Sequence, residues 1–104
     1  MRTQRFEMQE ELISRVVEVL KKNPLIEEAI LYGSRAKGTH RQGSDVDLVL
    51  KGQNLNLREI NNLHIELDNL LLPYTFDISI YHRINDPGMI DHINRVGKTI
   101  YKRT

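Results

Sequence analysis

Two aspartates one residue apart, Asp45 and Asp47, stand in the apolar segment Asp-Val-Asp-Leu-Val-Leu, and upstream the pair Gly33-Ser34 follows an apolar run that closes on Tyr32. Ten residues, Arg35 through Ser44, separate the two pairs. Side chains alternate in an extended segment, so Asp45 and Asp47 share one face while Val46, Leu48 and Leu50 take the other. Adjacent carboxylates repel unless a cation compensates, and hard oxygen ligands in such a pair suit Mg²⁺ bridging to nucleotide phosphates. A glycine directly after a strand can take φ > 0 and aim consecutive N–H groups at an anion. Ser34 adds a hydroxyl donor and can cap a short helical turn through Arg35, Ala36 and Lys37, presenting unpaired amides to phosphate oxygens. A metal with a triphosphate is the ligand chemistry these residues describe.

A third acid joins them. The segment Thr75 to Tyr81 alternates Phe76, Ile78 and Ile80 with Asp77, Ser79 and Tyr81, so Asp77 lies opposite the apolar face of a strand. Three carboxylates can then converge on one sheet surface. In-line attack on an α-phosphorus puts charge on the entering and leaving oxygens, which two ions about 3.5 to 4 Å apart stabilise together. Two rival motifs fail. Gly33 and Gly38 are spaced like the opening of a Walker A loop, but Thr39 stands where that motif needs lysine. Asp45-x-Asp47 opens like an EF-hand, but Val49 and Leu50 stand where that loop needs an oxygen ligand and its turn glycine. Arg35, Lys37 and Arg41 are loop cations, within range of a phosphate or simply solvated. His40, His64, His82 and His92 show no metal-ligand spacing and read as surface or helix-face residues, and Tyr101, Lys102 and Arg103 read as a solvated end.

The string Gly33-Ser34, ten residues, Asp45-Val46-Asp47 resembles the signature of the nucleotidyltransferase superfamily with the DNA polymerase beta fold. The short chain further resembles the minimal nucleotidyltransferases, the MNT proteins paired with HEPN-domain partners as antitoxins. The resemblance implies that Asp45 and Asp47 hold two Mg²⁺ ions, and that Asp77 holds the catalytic one and helps take the proton from the attacking hydroxyl. Gly33, Ser34 and Arg35 would grip the triphosphate of ATP. It also implies transfer of AMP to a tyrosine hydroxyl of a HEPN-domain protein, silencing a toxic ribonuclease. Lys37 departs from the arginine many relatives carry there, keeping the charge but losing the bidentate fork. Two other readings remain open: a nucleotide-binding module that neutralises a HEPN partner by contact alone, and transfer to a small molecule or an RNA end.

The elements that must position these residues follow from periodicity. Residues 5 to 22 carry Ile13, Val16, Val17 and Leu20 at helical spacing, ended by Asn23-Pro24. Strands are expected over 26–32 and 45–51. Asn56 with Glu59 resembles a capping box, followed by the stripe Ile60, Leu63, Leu67, Leu70 and Leu71 up to Pro73. The third strand covers 75–81. Asp86-Pro87 reads as an N-cap with proline at the first helical position, Met89, Ile93 and Val96 give a buried side, and Gly97 stops the helix before a short strand over 99–101. This order predicts an α/β fold of the polymerase-beta type, a small mixed sheet with helices packed against it.

Composition bounds the rest. The 104 residues suit a single domain, 1–104, burying roughly two thirds of its unfolded surface. Fifteen basic residues against 14 acidic ones leave a formal charge of +1, so no basic bias argues for a nucleic-acid surface. The lack of cysteine excludes disulfides and thiolate metal sites. The amino-terminal residues lack an apolar h-region and no run approaches a membrane span, so a cytoplasmic protein without a membrane partner is expected. A core of this length has little left to build an acceptor pocket. The acceptor is therefore expected to be a separate macromolecule, or its pocket to be completed by another subunit, a homo-oligomer included.

Overall fold

The computed structural model describes residues 2–32, 46–72 and 74–103 and, within these, side chains from residue 10 onward. Gly33, Ser34, Arg35, Lys37, His40, Arg41, Asp45 and Pro73 lie outside them. The element order is α1 (Arg2–Leu20), β1 (Glu28–Tyr32), β2 (Val46–Lys51), α2 (Leu57–Asp68), β3 (Phe76–Ile80), a 3₁₀ turn (Tyr81–Arg83), α3 (Pro87–Val96) and β4 (Lys98–Lys102). The four strands form one mixed sheet in the order β3-β2-β1-β4. β2 runs antiparallel to β1 and parallel to β3, and β4 pairs antiparallel with the outer side of β1. The expected α/β architecture is therefore present, with α1 and α2 on one face and α3 on the other.

The two central strands are covered on both faces, which is why they read as near-continuous apolar runs rather than alternating ones. Ala29 and Leu31 of β1 join Val46, Leu48 and Leu50 of β2 and Ile80 of β3 against Leu12, Val16, Val19 and Leu20 of α1 and Ile60, Leu63 and Leu67 of α2. Each such side chain contributes about 1.5 to 3 kcal/mol of burial free energy. On the opposite face Ile30, Tyr32 and Val49 meet Ile93 of α3, with Met89, Ile84 and Tyr81 around them.

Several boundaries differ from expectation for local reasons. α1 ends at Leu20, two residues early, because Lys22 and Asn23 bond back three residues, to the carbonyls of Val19 and Leu20. Its buried stripe runs through Leu12, Val16, Val19 and Leu20, with Ile13 and Val17 only half-buried. α2 stops at Asp68, and Leu71 takes a left-handed φ of 56° with 88% of its surface exposed, so it is no part of the buried stripe. Asn56 does accept the Glu59 amide at 3.2 Å, but the Glu59 carboxylate completes no capping box. It accepts from Asn23 Nδ2 at 2.8 Å instead, tying the end of α1 to the start of α2. Nor is the carboxyl-terminal segment a free end: Tyr101 and Lys102 lie in β4, and the Arg103 guanidinium donates to the carbonyls of Asn23 and Ile26.

Gly97 ends α3 with its N–H on the Ile93 carbonyl at 2.8 Å, but its φ of −68° is open to any residue. Space is what demands glycine there. An added Cβ would meet the Ile93 carbonyl oxygen and come within 2.6 Å of Ile30 Cγ2, where α3 turns into β4.

Candidate functional site

The register of the sheet sets the site. On the face turned toward α3, Tyr32 of β1 stands opposite Asp47 of β2, and Asp47 opposite Asp77 of β3. One step deeper, Ile30 stands opposite Val49 and Val49 opposite Ser79. A polar row thus lies beside an apolar one. Neighbouring strands run about 4.8 Å apart, which brings the two carboxylates side by side. Asp47 is half-buried between the buried Val46 and Leu48, whereas Asp77 is exposed. The sequence placed these two acids on one sheet surface, and the register brings them together there. Asp45, two residues before Asp47, lies outside the described residues, as do Gly33, Ser34 and Arg35 beyond the end of β1.

The two aspartates offer hard, anionic oxygen donors from adjacent strands, a set that fits a hard divalent cation better than any softer metal. Among the described residues no group of three or more His, Cys, Asp or Glu side chains is placed to hold a metal. The pair in hand is two-thirds of the expected set, and the strand carrying Asp47 leads back directly to the third acid.

Tyr32 and His92 are neighbours to which sequence reasoning gave no place at the site. Tyr32 is 8% exposed. Burial pushes its phenol above the usual tyrosine range, the charges of Asp47 and Asp77 add to that rise, and a hydrogen bond with Ser79 opposes it. The His92 ring of α3 meets the Tyr32 ring edge-on at 6.3 Å and 79°. Ser79 was legible as sharing a strand face with Asp77. Tyr32 and His92 were not, because the β1–β2 register and the seating of α3 are tertiary facts with no local signature.

Lys51, the one cation of β2, does not serve the acids. Its Nζ lies 4.5 Å from the centre of the Tyr81 ring and 4.0 Å from the Glu28 carboxylate, four residues along the strand from Asp47, about 13 Å away. An open groove of about 350 Å³ bordered by Glu27, Lys51, Gln53, Tyr81 and His82 belongs to that far end as well. No helix among the described residues is long and apolar enough to cross a membrane.

Known proteins add a family and a fold. A family model described as "Polymerase beta, Nucleotidyltransferase" matches residues 14–104. No curated protein matches the sequence. Among solved structures, a toxin–antitoxin complex with AMP-PNP superposes at a TM-score of 0.74 and 19% identity over 88% of this chain and 74% of that one. The MntA-HepT toxin–antitoxin structure gives 0.68 and 16% over 90% and 73%. A tri-AMPylated Shewanella oneidensis HEPN toxin in complex with MNT antitoxin gives 0.70 and 15% over 91% and 73%. At these identities the superpositions establish a shared fold.

Proposed function

Because the chain belongs to the polymerase beta nucleotidyltransferase family, we propose that it transfers AMP from ATP to a hydroxyl of a HEPN-domain partner protein and acts as the antitoxin of that pair. The observation that carries this reading is the placement of Asp47 and Asp77 side by side on adjacent parallel strands, on one face. Support for the nucleotide and the acceptor comes from the similar structures, one a toxin–antitoxin complex with AMP-PNP and another a HEPN toxin bearing three AMP groups beside its MNT antitoxin.

In this reading Asp45, Asp47 and Asp77 hold the metal pair, and Gly33, Ser34 and Arg35 receive the triphosphate. Bound Mg²⁺ would supply neutralising charge for the entering and leaving oxygens. Asp77, the more exposed of the two described acids, faces the acceptor and helps take the proton from its hydroxyl. The acceptor oxygen forms its bond to the α-phosphorus as the bond from that phosphorus to the bridging oxygen breaks, releasing pyrophosphate. The protein's share is chiefly position and charge.

Neutralisation by contact alone is the second reading, favoured by the exposed apolar side chains of Leu57 and Ile65 on α2, 64% and 60% exposed, and of Leu71 beyond it. Co-expression with the HEPN partner separates the two. Growth should be rescued by the wild type and lost with the Asp47→Asn/Asp77→Asn double variant, provided that variant is present at equal level. Full rescue by the double variant would establish contact as the mechanism.

A further inference from the structure

Asp47 and Asp77 stand at the end of the sheet where β2 and β3 begin together, and the turn that leads into β3 lies at that same end. The Thr75 carbonyl accepts the Val46 amide at 2.7 Å, so the turn is fastened to β2 one residue before Asp47. α2 closes into it with the amides of Leu70 and Leu71 on the carbonyls of Leu67 and Asp68, at 3.1 and 3.0 Å. Leu70 and Leu72 pack inward on the larger core, while Leu71 between them has 88% of its surface exposed. Leu71 is also the one residue other than glycine with a positive φ among the described residues, at 56°. A left-handed residue after a helix is ordinarily glycine or asparagine, which take that conformation without exposing apolar surface. A leucine there is unfavourable twice over, in its backbone and in the apolar surface it leaves wet.

We propose that Leu71 is the docking contact for the acceptor protein, seated in an apolar recess of that protein with a lysine or arginine at its rim. The inference rests on the transfer reading above and names the surface that the transfer needs. β3 is the outer strand on this side of the sheet and carries the exposed acid, so a hydroxyl delivered to Asp77 by a separate protein enters over the edge that this turn borders. Six residues of chain separate Leu71 from Asp77. They span at most about 22 Å, within the breadth of an interface of about 800 Å² per partner. The charge around Leu71 has one sign: residues 59–82 hold Glu59, Glu66, Asp68 and Asp77 and neither lysine nor arginine. Glu59 is engaged by Asn23 and Glu66 by Lys22, whereas Asp68 is exposed three residues before Leu71. A basic rim on the partner complements that carboxylate and sets the orientation of approach.

The test is steady-state transfer from α-labelled ATP and Mg²⁺ by the full chain, with the concentration of the HEPN-domain partner varied. Leu71→Asn, which suits the left-handed backbone, should raise the KM for the partner roughly 10- to 100-fold, the factor carried by one buried leucine side chain, and leave kcat close to wild type. Leu71→Met, apolar and of similar volume, should keep a KM close to wild type. Asp68→Lys should raise the KM as well, and more strongly at low salt. Without the partner, Leu71→Asn should melt no lower than wild type and bind ATP equally in calorimetry. A wild-type KM in Leu71→Asn would overturn the docking role and leave the transfer reading standing. A lowered melting temperature or lost ATP affinity would overturn it too, by showing that Leu71 acts through the fold or the acid pair. An unchanged KM in Asp68→Lys would overturn the basic rim. A wild type that labels no partner at any concentration would overturn the transfer reading and this inference with it.

Discussion

Asp47 is half-buried near the start of β2, between Val46 and Leu48, which are 2% and 0% exposed, and a carboxylate so placed is costly unless it is compensated. Asp77 alongside it adds like charge. In the proposed reading a cation shared between the two relieves that repulsion. Tyr32 reports the same field from the third strand of the row, because its phenol is held neutral by burial and by the two aspartates. The sign of its effect on stability follows. Below the ordinary tyrosine value of about 10 both folded and unfolded chains keep the proton, and the contribution is fully present. Above it the unfolded chain ionises first, so stability falls as pH rises through the elevated folded value. Urea titrations at pH 8 to 11 should show a decline that Tyr32→Phe lessens, and absorbance at 295 nm should show a late-ionising phenol that the same substitution removes. An unchanged alkaline limb in the variant would mean that Tyr32 is solvated. At this scale the acids and their shared face were readable from alternation alone. The company they keep was not, since Tyr32 and His92 arrive through β1 pairing and α3 packing.

Elements were legible where a local signal fixed them. Asn56 accepts the Glu59 amide and Asp86 the Gly88 amide at 2.9 Å, both as their residue types forecast. Periodicity failed where tertiary geometry ended an element early, as at Leu71, or where long-range bonds recruited a polar residue that composition assigns to solvent, as at Arg103. Gly97 shows the same division: its place at the end of α3 was forecast, but the space it leaves beside Ile30 was not. Gly97→Ala should therefore cost about 1 to 3 kcal/mol, by forcing α3 away from Ile30 of β1. Because α3 carries His92 to the acid face, the same substitution should also weaken activity, whereas Asn56→Ala on the opposite face should cost about 1 kcal/mol of stability and leave activity per folded molecule unchanged. Chemical denaturation with a parallel activity assay distinguishes the two, and equal activity in both would detach α3 from the site.

Across the described residues one face of the sheet is packed by α1 and α2, and the other is divided between packing against α3 and the candidate site. α1 and α2 bury the larger core, and on the opposite face α3 packs on Ile30, Tyr32 and Val49 while Asp77 stays exposed. That economy leaves no second lobe of this chain over Asp47 and Asp77 among the described residues, which suits an acceptor presented by another protein. The most direct measurement is therefore transfer itself: purified protein, α-labelled ATP, Mg²⁺ and the HEPN-domain partner, with Asp47→Asn/Asp77→Asn beside it. A labelled partner whose mass rises in steps of one AMP, with the label lost in the variant or on chelation, is the expected result. A partner that stays unlabelled while still binding the wild-type protein would contradict it and leave a nucleotidyltransferase fold that works by contact.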